Sequence, residues 1–325
     1  MTYTRPLDFE KDYLDLKNKL EDLKTYTRQK NLNLDSEIEA LNTRVNVLKE
    51  ERYRNLTAWQ VYQIARHQDR PLTLDYINAI FQDFVELHGD RCYGDDQAVV
   101  GGLAWFDEIP VTVIGHQKGK DTNQNIRRNF GMSHPEGYRK ACRLMSQAEK
   151  FRRPLICFID TPGAYPGPGA EERGQGWAIS QDLAQMSGLK IPIVSLVIGE
   201  GGSGGALALG VADRLLMLSY AVYSVISPHG CASILWNDVG RSEEMAGNLK
   251  MTAPDLMRLG IIDEIIPEPT EGAHRDPEKT YRMVRERIKF HLQELLDVDP
   301  VDLVERRYQR LRRIGSPNED LERKI

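Results

Sequence analysis

The sequence predicts a mixed α/β domain entered through a helical hairpin, and three observations carry that prediction. From Phe9 to about Tyr53 there is no Gly or Pro, and apolar residues (Phe9, Tyr13, Leu16, Leu20, Leu23, then Ile38, Leu41, Val45, Leu48) recur at three- and four-residue steps. Near Leu72 the texture changes, and short runs rich in β-branched residues alternate with Gly-rich loops and helical stretches. The third observation is bulk: 325 residues, 41% hydrophobic and 28% charged, suffice to bury a core without disulfides or metal.

The hairpin is expected because Lys30 to Ser36 interrupts the helical pattern with turn formers and offers Asp35 or Ser36 as an N-cap. Its stripe covers either the chain's own body or another subunit. Buried strands are expected at Val111–Ile114, Leu155–Ile159, Ile193–Ile198, Leu215–Leu218 and Val222–Ile226. After the first three comes a loop of small residues and then a helix, at Pro135 to Lys150, Glu171 to Ser187 and Ser203 to Val211. Beyond Ile265-Ile266-Pro267-Glu268-Pro269 glycines become scarce, and Pro277 to Leu296 and Val301 to Arg313 read as charged helices, with the last dozen residues frayed. The expected division is a hairpin over 1–57, a central domain over 58–270 and a helical segment over 271–325.

Charge and cysteine usage exclude several classes. With 43 basic and 48 acidic residues the net charge is −5, so no global positive field draws the chain to nucleic acid or anionic lipid. Cys92, Cys142, Cys157 and Cys231 never approach a C-x-x-C spacing, which argues against a zinc ribbon or a disulfide framework and fits a reducing compartment. The charged opening residues and the absence of a membrane-length apolar run predict a cytoplasmic protein.

The densest chemical signal is Gly199-Glu200-Gly201-Gly202-Ser203-Gly204-Gly205-Ala206, with five glycines in seven positions between an apolar strand and an Ala/Leu helix. Glycine lets another group approach the backbone, and a helix start has N–H groups without helical partners, so the turn can present donors to an oxyanion. Tight strand–helix packing alone would need one or two glycines. A P-loop would require Lys and then Ser or Thr after the last Gly, where Ala206-Leu207 stands, so nucleotide binding there is disfavoured. Gly201-Gly202-Ser203-Gly204-Gly205 does satisfy the G-x-S-x-G elbow of serine hydrolases, with His229, His274 and His291 as candidate bases and only His229 in a turn-like loop. Glu200 is the one carboxylate in the turn, either a base or a cap for neighbouring amides.

Three further segments frame it. Asp160 to Gly174, holding Gly163, Ala164 and Tyr165, is stiffened by three prolines and bent by glycines, and suits a narrow acceptor wall or a tight crossover. Gly115-His116-Gln117-Lys118-Gly119-Lys120 with Asn125 to Met132 is a basic strip that could hold a phosphate, a carboxylate or a partner's acidic face, or be plain solvated surface; its His116 reads as structural. Tyr223 to Trp236 carries His229, which reads as a hydrogen-bonding loop imidazole rather than an acid or base.

Taken together these segments resemble the alpha-subunit family of bacterial-type acetyl-coenzyme A carboxylase carboxyltransferases. The resemblance runs through Leu74-Asp75-Tyr76, Glu86 to Arg91, Val100-Gly101-Gly102, Gly115 to Gly119, Arg127 to Met132, Asp160 to Gly174, Gly199 to Gly205, Ser227 to Trp236, Ile265 to Pro269 and Arg306-Arg307-Tyr308. One departure is His229, where the family usually has Glu, which weakens any claim that a carboxylate there is essential.

The resemblance implies a crotonase-like fold of repeated strand-strand-helix units. It implies carboxyl transfer from carboxybiotin, borne by a separate biotin carboxyl carrier protein and charged by biotin carboxylase, to acetyl-CoA, giving malonyl-CoA at the first committed step of fatty acid synthesis. It implies backbone N–H groups of Gly204 and Gly205 as the oxyanion hole for biotin, with Gly201, Gly202, Ser203, Ala206, Gly163, Ala164, Tyr165 and Lys118 around the substrates and no metal in this chain. It implies a zinc-ribbon beta subunit completing the site, as α2β2, which the hairpin would help to dock. Two other readings stand beside it: a crotonase-type hydratase or hydrolase working alone through Glu200 or Ser203, and a non-catalytic helical-hairpin scaffold.

Overall fold

The computed structural model describes residues 6–30 and 33–315; the opening residues, Asn31 and Leu32 of the expected turn, and 316–325 of the tail expected to fray lie outside the described residues. Helices α1 (Lys11–Lys30) and α2 (Asp35–Arg54) form the hairpin, with Arg52 2.7 Å from Asp12 across it. Its base is an aromatic knot: Phe9 and Tyr13 meet the Tyr53 ring edge-on at 5.7 and 6.2 Å, and Ile64 and Tyr220 of the central body pack against it. Neither Asp35 nor Ser36 is the N-cap. Leu34 holds that position without a side-chain bond, Asp35 is the first helical residue, where its charge still suits the helix dipole, and Ser36 Oγ bonds the Glu37 carboxylate.

The body opens with α3 (Ala58–Ala65), started by a reciprocal Thr57–Gln60 capping box, and α4 (Thr73–Ile80). Strands β1 (Gln82–Glu86), β2 (Val99–Phe106) and β3 (Ile109–His116) follow as an antiparallel meander. Next come α5 (Thr122–Arg127), α6 (Pro135–Lys150), β4 (Leu155–Thr161), α7 (Pro168–Glu172), α8 (Gln175–Gly188), β5 (Ile193–Gly202) and α9 (Ser203–Leu207). The chain ends with β6 (Arg214–Leu218), β7 (Val222–Ser224), α10 (Pro228–Trp236), α11 (Ser242–Asn248), α12 (Ala253–Arg258), β8 (Glu264–Ile266), α13 (Pro277–Leu296) and α14 (Pro300–Arg313).

The sheet order is β1-β2-β3-β4-β5-β6-β8, parallel from β3 onward. β5 has two partners in succession on one edge: β6 lies beside Val194–Val197, the chain turns at Ser219–Ala221, and β7 lies beside Glu200–Gly202. All ten residues of β5 and all seven of β4 are buried, as expected for parallel strands covered on both faces. Ala141, Leu144, Met145 and Ala148 of α6, and Val284, Ile288 and Leu292 of α13, close that core, each buried Leu, Met, Val or Ile side chain contributing about 1.5–3 kcal/mol.

Three expected elements differ. The buried strand expected at Val222–Ile226 is β7 alone, ending at Ser224 with Tyr223 and Ser224 half-buried, and Val225 beyond it is exposed. The helix expected over Glu171 to Ser187 is two helices broken at Gly174, which takes φ 81°, a left-handed value open to glycine. The helix expected over Ser203 to Val211 ends at Leu207, and its continuation is a tight turn into β6. The sequence reading also missed β1, a short edge strand with Asp83 at φ 50°.

Candidate functional site

The Gly-rich turn sits where β5 leaves the sheet and α9 begins. Ser203, Gly204 and Gly205 are the first three helical residues, so their N–H groups have no intrahelical carbonyl to bond. Ser203 is exposed with φ 55°, Gly204 is half-buried and Gly205 is buried. A Cβ on Gly202 would lie 2.1 Å from Pro162 O, and one on Gly205 would lie 2.7 Å from Ala164 N and 2.8 Å from Gly163 C. Only glycine permits so close a contact between the turn and the 161–164 loop. Gly204 differs: its missing Cβ points into space, 3.8 Å from the nearest atoms of Ile179.

All four sequence segments converge here. Thr161 Oγ1 lies 2.7 Å from Gly131 O and accepts from Gly163 N–H at 3.1 Å, joining the 115–132 strip to the 160–165 loop. Gly131 backs onto the Lys118 stem, whose Cγ would be 2.8 Å from a Cβ there. Tyr223 lies against Gly201, and Ser224 pairs with Gly202. Tyr165 is anchored by its N–H to Ser133 O at 2.9 Å and packs at a tilt on the His134 ring, 4.3 Å between centroids. Ala206 is fully buried behind the turn. In front, Ser203, Gly204, Leu207, Tyr223, Val225 and Leu259 help to line a mostly apolar cleft of about 340 Å³.

Beneath the turn lies a charge network that the sequence did not reveal. Lys118 Nζ stands 2.7 Å from Asp160 Oδ1 and 3.6 Å from Glu200 Oε2, and Arg66 Nη1 donates to Glu200 Oε1 at 2.8 Å. Glu200 is 4% exposed, so its carboxylate is neither a free base nor a cap for the turn's amides; two cations hold it. The burial and the Glu200 charge push the Tyr62 phenol above it up to about 12. His116 is buried among Asp160, Phe158 and the Gly205 backbone, and burial holds its imidazole down at about 4, hence neutral.

The histidines of the hydrolase reading lie elsewhere. His229 is in the first turn of α10, not a loop, packed against Trp59 and Tyr62 at 5.3 and 6.0 Å. His274 stacks on His67, and His291 of α13 faces Glu264 of β8. Among the described residues Ser203 Oγ makes no hydrogen bond to a histidine, so the elbow lacks its base. The cation partners Arg66 and Lys118 lie 134 and 82 positions from Glu200, a separation at which no local pattern signals contact.

Residues 6–315 match the family described as acetyl co-enzyme A carboxylase carboxyltransferase-like. A protein of Halalkalibacterium halodurans named acetyl-coenzyme A carboxylase carboxyl transferase subunit alpha is 57% identical over 309 residues, covering 95% of both chains. One of that name from Listeria monocytogenes is 55% identical, covering 95% of this chain and 97% of its own. Among solved structures, a transcarboxylase 12S core with methylmalonyl-coenzyme A superposes with a TM-score of 0.54 at 21% identity, covering 67% of this chain and 41% of that one. A Pseudomonas malonate decarboxylase hetero-tetramer with coenzyme A gives 0.55 at 20% identity, covering 71% and 90%. The crotonase-like architecture is thereby shown, and the carboxyltransferase reading prevails over a stand-alone hydratase or hydrolase. The chain belongs to the acetyl-coenzyme A carboxylase carboxyltransferase family and is a transferase.

Proposed function

We propose that the Gly201–Ala206 turn binds the ureido oxygen of carboxybiotin through the Gly204 and Gly205 amides, in an alpha subunit that makes malonyl-CoA from acetyl-CoA. The observation that carries this is the meeting of four separate segments at a helix start, where Ser203 and Gly204 line a mostly apolar cleft and Gly205 lies buried directly behind them. Bound biotin supplies the carboxyl group and, once that has left, a ureido nitrogen able to take the methyl proton. The chain's own part is electrostatic: amides fixed before the reaction stabilise negative charge as it develops, without reorganisation. The 340 Å³ cleft lies beside them, and Gly163 and Ala164 form the wall behind. Ser203 is a small residue in the turn, and Lys118 acts through Asp160 and Glu200.

On this reading a zinc-ribbon beta subunit supplies the thioester half of the site, as α2β2, and a biotin carboxyl carrier protein charged by biotin carboxylase brings the donor in the cytoplasm. This chain holds no metal of its own in the reaction. The hairpin within 1–57 is the docking element, 58–270 carries the site, and 271–325 is a C-terminal segment that includes α13 and α14. No helix among the described residues is long and apolar enough to cross a membrane. The test is malonyl-CoA decarboxylation with free biotin as acceptor, with and without purified beta subunit. Activity in the mixture alone supports a composite site; thioester hydrolysis by this chain alone overturns it.

A further inference from the structure

Strand β5 does not run straight into the Gly-rich turn. Ile159 pairs with Val197 and Thr161 with Gly201, so Asp160 alone on β4 faces Ile198, Gly199 and Glu200 on β5. Such a bulge breaks the ladder and bends its strand. It also strips buried backbone groups of their partners, which must be replaced. Two side chains bond the bulged segment, one of them from β4 itself. Asp160 Oδ1 accepts the Glu200 N–H at 2.9 Å, and Arg70 Nε donates to Ile198 O at 2.7 Å.

Both substitutes are themselves locked. The Arg70 guanidinium is held by two 2.8 Å bonds to Glu268, with both side chains closed to water. Asp160 is held by Lys118 at 2.7 Å. Gly199 has no Cβ because one would lie 2.5 Å from Asp160 Oδ1, so the carboxylate fills the bulge. The bend fixed in this way sets where Gly202 meets Pro162 and where α9 begins.

We propose that Asp160 is the positioning residue of the site: its carboxylate stands in for the missing strand partner and so aims the Gly204 and Gly205 amides. The Lys118 pairing orients Asp160, and the acceptor oxygen is what holds the turn. This rests on the oxyanion reading above. An aiming role predicts a loss in kcat without a loss in binding, and rescue by a neutral side chain that keeps the acceptor.

The experiment compares Asp160→Ala and Asp160→Asn in the full chain. Carboxyl transfer is measured with the beta subunit present, and amide hydrogen exchange of a peptide spanning 199–206 is measured independently of activity. In Asp160→Ala, kcat falls about 10²-fold, the loss that follows a misplacement of about 1 Å, with KM for malonyl-CoA within about twofold. Exchange in 199–206 rises about tenfold or more through local opening, while peptides of β2 stay protected. Asp160→Asn restores both. Unchanged exchange in Asp160→Ala, or an Asn variant as impaired as Ala, overturns the proposal. If Ala does not fold, the Asn variant decides alone, because near-normal kcat and protection are required of it. Gly204→Val separates the two readings: if it lowers the rate while a loosened Asp160→Ala does not, aiming by Asp160 is wrong and the oxyanion hole stands. If Gly204→Val leaves the rate intact, the oxyanion hole fails, and exchange still decides whether Asp160 holds the turn.

Discussion

Arg307 and Asp213 meet as a buried, two-pronged ion pair, with guanidinium Nε and Nη2 each 2.9 Å from a carboxylate oxygen. Arg307 also donates to the carbonyls of Met186, Leu189 and Ile191, while Asp213 accepts the Ile193 N–H at 2.8 Å. One residue of α14 thus ties the end of α8 to the start of β5, the strand that carries the site.

Removing one member of such a pair strands the other in the interior. Arg307→Ala is expected to lower unfolding stability by about 3–5 kcal/mol, and an Arg307→Leu, Asp213→Leu double variant to recover part of that. Urea denaturation measures both; a single variant within about 0.5 kcal/mol of the parent, as for an ordinary surface change, excludes the tie.

The two glycines of the proposed hole should respond differently. Gly204→Ala finds ordinary van der Waals room, so the fold is kept, whereas Gly205→Ala must displace the 163–164 backbone and is expected to lose stability and activity together. Gly204→Val is expected to leave assembly intact and cut kcat by about 10²–10³-fold by obstructing one amide donor. Melting curves run beside the kinetics check the pair.

Ser203→Ala tests the nucleophile directly. Carboxyl transfer should stay within about threefold, because the hydroxyl has no role in amide stabilisation and no base to activate it. Loss of more than about 10³-fold would instead mark a serine enzyme.

Acid should weaken the fold in two steps of known sign. Buried His116 stays neutral down to about 4 while its unfolded counterpart takes a proton near 6.5, so its contribution to stability declines from 6.5 towards 4. Asp90 is opposed by burial, yet the amides of Cys92, Tyr93 and Gly94 and the Arg139 guanidinium hold it down at about 2. Its contribution is whole above its ordinary 3.8 and lost towards 2. Stability measured against pH should lose the upper step in His116→Gln and the lower in Asp90→Asn.

Much of this molecule is legible locally. Pro135 and Pro277 sit at the first helical position, and α6 and α13 have the limits expected from them. The β-branched runs give β3, β4 and β5, and the glycine excess marks the turn. What was not legible depends on distant pairing. Nothing near Glu200 announces Arg66 or Lys118, and the helix break at Gly174 is a backbone conformation rather than a composition. The one-against-three register opposite Asp160 exists only once β4 and β5 have met. His229 was misplaced because Pro228 can open a helix as readily as it can make a turn.

The two-neighbour arrangement of β5 has a bearing on heat. Because β4 flanks it on one side and β6 then β7 on the other, the strand is paired on both edges over Val194–Val197 and again at Gly201. With the Asp160 and Arg70 bonds in place the proposed catalytic turn is tied to that strand and is expected to melt with it. Activity lost on warming should follow the collapse of the whole sheet, and a variant that raises the melting temperature anywhere in the core should prolong the working life of the site by the same margin.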